Sequence, residues 1–213
     1  MTDPALLIDR KASRERLQLD ETSWVDVVRG FAPDTEALFQ HLYDTMPWTQ
    51  GSSIREGRKV PDPRMGAGLS TTQLAAVPLL HRARLVLEAR YRIRLRGAAM
   101  VLYRDGRDSV GFHRDDEMLY LEKTVIAGLS LGAERPVSFM SKAHDVRHDV
   151  RLGAGDLYVM GGRCQADWLH AVHKVESAGP RISVVWRWTS RLGPPSSSPS
   201  RVVPDAPRKR RWR

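Results

Sequence analysis

Hydrophobic side chains recur at spacings of three and four in two stretches of the N-terminal half, then crowd into short runs along the C-terminal half. Leu38, Phe39, Leu42, Tyr43 and Met46 follow Pro33-Asp34, and Leu79, Leu80, Ala83, Val86 and Leu87 follow Pro78. Each set marks one face of a helix, and proline suits a first helical turn because its missing N–H costs no bond there. These stripes read as packing faces. Between them Gly51 to Thr72 reads as loop, with Arg55, Arg58, Lys59, Pro61, Pro63, Arg64, Gly66 and Gly68. From Ala98 onward, apolar and β-branched runs at 98–103, 109–115, 124–131, 135–140, 146–152, 156–160, 168–175 and 181–188 predict strands separated by turns. Eight such strands suit a double-stranded β-helix, a jelly roll of two facing sheets whose mouth can hold a metal centre. The fold expected is therefore α+β and mainly β. Residues 1–94 form an N-terminal extension with helices, 95–190 the jelly-roll core and 191–213 a tail. No internal repeat is visible.

Composition narrows the setting. A chain of 213 residues, 41% hydrophobic, holds one domain with a substantial core. No apolar run approaches the roughly 18 residues of a membrane span, so no membrane partner is expected. The start Met1-Thr2-Asp3-Pro4 has neither the basic head nor the apolar stretch of a signal peptide. The one cysteine, Cys164, excludes an internal disulfide and fits a reducing cytoplasm, which is the location expected. The net charge of +9 is unevenly placed. Residues 191–213 hold seven Arg and Lys against Asp205, a net +6, which leaves +3 for the rest. With its Ser/Pro run and the ending Arg208-Lys209-Arg210-Arg211-Trp212-Arg213, this segment reads as a disordered basic tail able to contact phosphates without reading sequence.

The candidate chemistry starts at His113-Arg114-Asp115. On a strand, residues two apart share a face, so His113 and Asp115 can point at one ion. Alone, this pair is no more than a common surface pattern. His170, in the second strand-like run Asp167 to Val172, completes two histidines and a carboxylate on one side of a metal. That set leaves the opposite positions open, as an iron(II) oxygenase needs. Arg181 and Arg187, six apart on an apolar run, share a strand face with Ser183 and Val185. Arginine meets a carboxylate with two parallel hydrogen bonds where lysine offers a point charge, so the pair suits a dicarboxylate.

Five segments follow in order: Tyr103 to Ser109, Phe112 to Glu117, Gly155 to Gly162, Trp168-Leu169-His170, and Arg181 to Arg187. Over residues 95–190 the chain resembles the AlkB family of iron(II)- and 2-oxoglutarate-dependent dioxygenases, which oxidatively remove alkyl groups from nucleic-acid bases. The resemblance implies Fe(II), the cosubstrate 2-oxoglutarate and O2. It makes His113, Asp115 and His170 both catalytic residues and metal ligands, and gives the 2-oxoglutarate carboxylates to Arg181 and Arg187 and a supporting hydroxyl to Tyr103. Two positions where the family often has asparagine are Val101 and Ser183 here; Ser183 keeps a shorter hydrogen-bonding group and Val101 keeps none.

For the substrate, the resemblance places a nucleotide-recognition lid over Gly51 to Thr72, with Arg64 as a contact. Such a lid usually brings an aromatic ring against a base taken out of the stack, yet no Trp, Tyr or Phe lies from Thr49 to Arg90. Trp48 is the nearest replacement, His113 can face the base from the other side, and Glu117 matches the carboxylate that reads an exocyclic amine. The expected activity is dealkylation of N-alkylated bases in single-stranded DNA or RNA by a monomer, releasing formaldehyde, succinate and CO2. Two other classes remain: the same chemistry on a protein side chain or small molecule, and a non-catalytic nucleic-acid-binding module.

Overall fold

The computed structural model describes residues 8–190 except Glu56, Asp116, Glu117 and Leu119, together with the backbone of Arg210–Arg211. Before the expected core come β1 (Arg14–Gln18), β2 (Ser23–Val28), α1 (Glu36–Thr45), β3 (Thr49–Arg55), β4 (Arg58–Leu69), α2 (Thr71–Ala75) and α3 (Pro78–Tyr91). The core strands follow as β5 (Ala98–Tyr103), β6 (Val110–His113), β7 (Thr124–Gly132), β8 (Arg135–Ser141), β9 (Arg147–Leu152) and β10 (Leu157–Gly162), then α4 (Cys164–Asp167), β11 (Trp168–Val172), β12 (Arg181–Thr189) and the two-residue β13 (Arg210–Arg211). A nine-stranded sheet runs β1-β2-β10-β7-β12-β5-β4-β3-β13, and a four-stranded sheet runs β6-β11-β8-β9. All pairings are antiparallel except β13 with β3.

β7 lies between β10 and β12 inside the large sheet and is buried on both faces from Thr124 to Leu131, which is why its sequence is a mostly apolar run rather than an alternation. Its Val125, Ala127, Leu129 and Leu131 point to the side covered by α1, α2 and α3, with Phe39, Leu42, Leu74, Leu80 and Leu87. Ile126 faces the other way and packs with Tyr103, Val137, Phe139, Tyr158 and Val185 between the two sheets. The site opens from this second layer. Pro78 occupies the first turn of α3, as expected, and Ser70 with Gln73 closes a capping box on α2.

The eight runs from Ala98 on become β5 to β12, each within about two residues at its start. Gly51 to Thr72, expected as loop, is corrected: it is the antiparallel pair β3–β4 and the start of α2. Pro61 and Pro63 precede Met65 to Leu69, the residues that pair with β5, so their missing N–H groups cost that ladder nothing. The sequence pattern predicts neither β1 nor β2. Arg14–Gln18 is a polar edge strand with no alternation to see, and Ser23–Val28 carries a fully buried Asp26 where an apolar residue would mark a core strand. Arg16 holds that carboxylate through Nε at 2.6 Å and Nη2 at 2.9 Å, and the Tyr91 hydroxyl donates at 2.9 Å. A buried charge is tolerable when paired in this way.

Candidate metal and dicarboxylate site

β6 and β11 are neighbours in the small sheet, in a register that sets His113 directly opposite His170. Their rings stand 4.2 Å apart between centroids, at the end of β6 where the chain leaves the strand and returns Asp115 to the same spot. Asp115 Oδ1 lies 3.9 Å from Nε2 of His113 and 3.9 Å from Nε2 of His170, and one ligand atom from each residue fits within 4.8 Å of the others. His113 Nδ1 is 2.8 Å from the Gly111 carbonyl. A carbonyl only accepts, so Nδ1 carries the proton and Nε2 keeps its lone pair for an ion. Two imidazole nitrogens and a carboxylate on one side suit iron(II) with open positions opposite.

Asp115 is 2% exposed. Burial by itself would raise its carboxyl, but the Arg187 guanidinium, and after it His170, hold it well below the usual carboxylate range. Arg187 donates Nε to Oδ2 at 2.7 Å, leaving Oδ1 turned to the histidines. The Asp115 backbone N–H donates to Gln165 Oε1 at 2.8 Å, inside the protein. Gln165 sits on the four-residue α4 just before β11. Nothing in the sequence singles it out.

β12 presents Arg181, Ser183, Val185 and Arg187 to the same cavity, as its two-residue period requires. The two arginines have different surroundings. Arg187 is tied to the Asp115 carboxylate. Arg181 is 1% exposed, donates Nε to Ser130 Oγ at 2.9 Å, and among the described residues Nη1 and Nη2 have no hydrogen-bond partner. Burial pushes this guanidinium down from its ordinary value, with Tyr103 and Tyr158 opposing. A buried cation with two unsatisfied donors is the complement of a carboxylate. The residues therefore fit both an iron ion and a dicarboxylate.

Tyr103 is buried, with the Arg181 guanidinium carbon 5.5 Å and that of Arg135 5.6 Å from its ring centre. Burial raises its hydroxyl above the ordinary range against the pull of Arg181, so it stays protonated and able to donate. Ser183 and Val101, the two departures from the family pattern, are cross-strand partners in the cavity wall. Arg64 reaches the cavity from β4 and donates Nη1 to the Ser109 carbonyl at 3.4 Å. Trp48 is not brought to the site. It packs on the helix-side core and donates Nε1 to the Tyr43 carbonyl at 3.0 Å. Glu117, with Asp116, lies outside the described residues, as do the side chains of the basic tail.

The segment Tyr103 to Ser109 is a brace for the site's rim. Asp108 accepts from the Arg104 backbone N–H at 2.9 Å and from its Nε and Nη2 at 2.8 Å each. The fully buried Arg135 donates to the carbonyls of Asp105 at 3.0 Å, Asp108 at 2.9 Å and His173 at 2.5 Å, fastening this turn to the end of β11. A strand-initial Arg135 before Pro136 gives no sign of that role in the sequence. No described helix is long and apolar enough to cross a membrane.

The family model described as 2OG-Fe(II) oxygenase superfamily matches residues 83–192, just over half of the chain. A mouse protein named alpha-ketoglutarate-dependent dioxygenase alkB homolog 3 is 31% identical over 206 residues, covering 85% of this chain and 72% of its own. The DNA oxidative demethylase ALKBH2 of Arabidopsis thaliana is 24% identical over 220 residues, covering 82% and 69%. Among solved structures, an oxidoreductase of the 2OG-Fe(II) oxygenase family from Burkholderia pseudomallei superposes with a TM-score of 0.55 at 13% identity, covering 76% of this chain and 84% of that one. OsALKBH1 gives the same score and identity over 82% of this chain and all of its own. Those two likenesses speak for the fold.

Proposed function

From the premise that the chain belongs to the 2OG-Fe(II) oxygenase superfamily and within it to the AlkB family, we propose that it removes alkyl groups from N-alkylated bases of single-stranded DNA or RNA, as a monomer in the cytoplasm. One observation carries the site reading. Arg181 holds two unsatisfied donors inside the cavity that also contains His113, Asp115 and His170.

His113, Asp115 and His170 would hold Fe(II). When bound, Fe(II) with 2-oxoglutarate and O2 supplies oxidation of an N-alkyl carbon to the hydroxyalkyl, coupled to conversion of 2-oxoglutarate to succinate and CO2; the hydroxymethyl product then sheds formaldehyde and leaves N–H. The chain's own part is placement and dryness. Arg187 fixes the Asp115 carboxylate so that one oxygen faces the histidines, and Gln165 fixes the backbone beneath it. Arg187 is therefore at the metal end of the strand. Arg181, six residues away and roughly 20 Å along the backbone, is placed to receive the far carboxylate, with Tyr103 and Ser183 beside it. Val110, Ile126, Val137 and Val185 line the rest of the cavity and exclude water.

The substrate assignment draws on the names of the relatives and on charge. Arg64 stands at the cavity, and Arg58 and Lys59 are exposed at the start of the same strand, where phosphates can be met. The base must leave the stack to enter so narrow a site, with His113 against one face and Glu117 as the reader of its amine. The test begins anaerobically: Fe(II) and then 2-oxoglutarate should develop the weak visible charge-transfer band of a metal-chelated 2-oxo acid. On admitting air with methylated single-stranded oligonucleotide, formaldehyde and succinate should appear in equal amounts. Succinate release that no alkylated DNA or RNA increases would move the substrate to a protein or small molecule. Absence of the band would remove the enzyme reading.

A further inference from the structure

The cavity contains a second buried phenol with no role in the reading above. Tyr158, on β10, is 5% exposed and lines the same cavity as Arg181, Tyr103 and Ser183. The register sets Tyr158 beside Gly128 of β7, and Gly128 beside Val185 of β12. A Cβ on Gly128 would lie 2.2 Å from Cε1, 2.5 Å from Cζ and 2.7 Å from Oη of Tyr158. The ring therefore lies across the β7 backbone at Gly128, with its hydroxyl end directed over the strand. Gly128 is not among the glycines of positive φ, so what it supplies here is room. The next inward-facing residue of β7 is Ser130, which receives Arg181 Nε. Among the described residues none hydrogen-bonds the Tyr158 hydroxyl.

A carboxylate offers about four lone-pair directions. Nη1 and Nη2 of Arg181 can take two and the Tyr103 hydroxyl one, while on the same wall Val101 offers no donor and Ser183 only one short hydroxyl. We propose that Tyr158 is a cosubstrate-binding residue: its hydroxyl, admitted by the missing side chain at Gly128, donates to the carboxylate held by Arg181 and makes good the donors that Val101 and Ser183 do not supply. Burial pushes this phenol up to about 12 against the pull of Arg181, so the group is a donor throughout the neutral range. The proposal rests on the reading of Arg181 as a dicarboxylate anchor.

The experiment measures binding without turnover, by calorimetry of 2-oxoglutarate into the full chain loaded with Mn(II). Tyr158→Phe keeps the ring and its packing and removes only the hydroxyl. It should weaken 2-oxoglutarate about ten- to a hundredfold, the range for a hydrogen bond to a charged group, while Mn(II) affinity and the melting temperature stay within error. Pyruvate keeps the 2-oxo acid end and lacks the second carboxylate, so it should bind wild type and variant alike. Tyr158→Leu should lose as much as Tyr158→Phe, and adding Gly128→Ala to Tyr158→Leu should cost nothing further. Equal 2-oxoglutarate affinity in wild type and Tyr158→Phe overturns the proposal alone. A Tyr158→Phe protein that loses Mn(II) or pyruvate to the same degree also overturns it, in favour of a structural role. Wild type that binds Mn(II) but no 2-oxoglutarate overturns the dicarboxylate reading, and this proposal with it.

Discussion

Replacing Arg181 by Met should move ligand affinity and stability in opposite directions. In the absence of cosubstrate, Arg181 is a guanidinium 1% exposed whose one hydrogen bond runs from Nε to Ser130 Oγ among the described residues. Methionine fills much of the same volume and brings no charge. The loss is a bond worth about 1 kcal/mol. The gain is relief of an unpaired buried cation, whose unsatisfied donors cost roughly 1–3 kcal/mol or more. The ligand-free variant should therefore be more stable by up to about 2 kcal/mol, or up to about 8 °C in melting temperature for a chain of this size. With 2-oxoglutarate the balance reverses. Two charge-assisted bonds at roughly 1.5–3 kcal/mol each are lost, about 3–6 kcal/mol, so affinity should fall on the order of a hundred- to ten-thousandfold. Thermal melts of the Mn(II) form with and without saturating 2-oxoglutarate read both effects at once: the variant should start higher and show no upward shift with ligand. A variant that melts below wild type without ligand and still shifts with it would mean that Arg181 is a structural residue satisfied by other groups.

His113→Ala, Asp115→Ala and His170→Ala should each abolish succinate release while circular dichroism stays that of the wild type; turnover from any of them would remove that residue from the ligand set. Arg187→Lys keeps the charge but loses the Nε bond to Asp115 at 2.7 Å, and should raise the 2-oxoglutarate concentration for half-maximal turnover by about tenfold; an unchanged value would make Arg187 a bystander. Gln165→Ala, which removes the acceptor for the Asp115 N–H, should weaken Fe(II) binding by about tenfold or more in a metal titration, as loss of ligand supports commonly does; full affinity would show that the turn holds Asp115 by itself. Deleting residues 192–213 should leave 2-oxoglutarate binding untouched, weaken binding of methylated single-stranded oligonucleotide, and flatten its log–log salt dependence by about 0.7 for each phosphate no longer neutralised; the same affinity and slope would make the tail irrelevant to substrate.

The parts of this molecule that can be read from the chain are those where one physical demand writes one local pattern. β7 is apolar over most of its length because helices cover one face and the small sheet the other, and Arg181 and Arg187 share a wall because a strand repeats every two residues. His113, Asp115 and His170 are legible for a similar reason: a metal needs specific donor atoms, and few side chains have them. The strands without a legible pattern answer to several demands at once. β4 has to pass two prolines before it may pair with β5, and β2 buries Asp26, so its polarity is compensated by Arg16 and Tyr91 from elsewhere in the chain. Trp48 shows the reverse error, an aromatic expected at the substrate because the lid lacks one, whereas its indole N–H is already bound to the Tyr43 carbonyl and its ring to the core.

The supports of the site are illegible for a further reason. Gln165 acts on a backbone N–H fifty residues away, Arg135 on three backbone carbonyls, and backbone groups have no sequence identity for a partner to match. Tyr158 and Gly128 are thirty residues apart and meaningful only as a pair, since the glycine's reason for being there is the ring that crosses it. Such supports bear on function because they fix the geometry that the ligands and arginines share. Oδ1 of Asp115 faces two imidazoles only while Arg187 holds Oδ2 and Gln165 holds the turn. Arg181 keeps its two donors open only because Ser130 takes its Nε and two tyrosines, rather than a carboxylate, surround it. A protein that buried a glutamate beside Arg181 would be more stable and would have no place for 2-oxoglutarate; the unsatisfied guanidinium is the stability given up to make that anion's binding site.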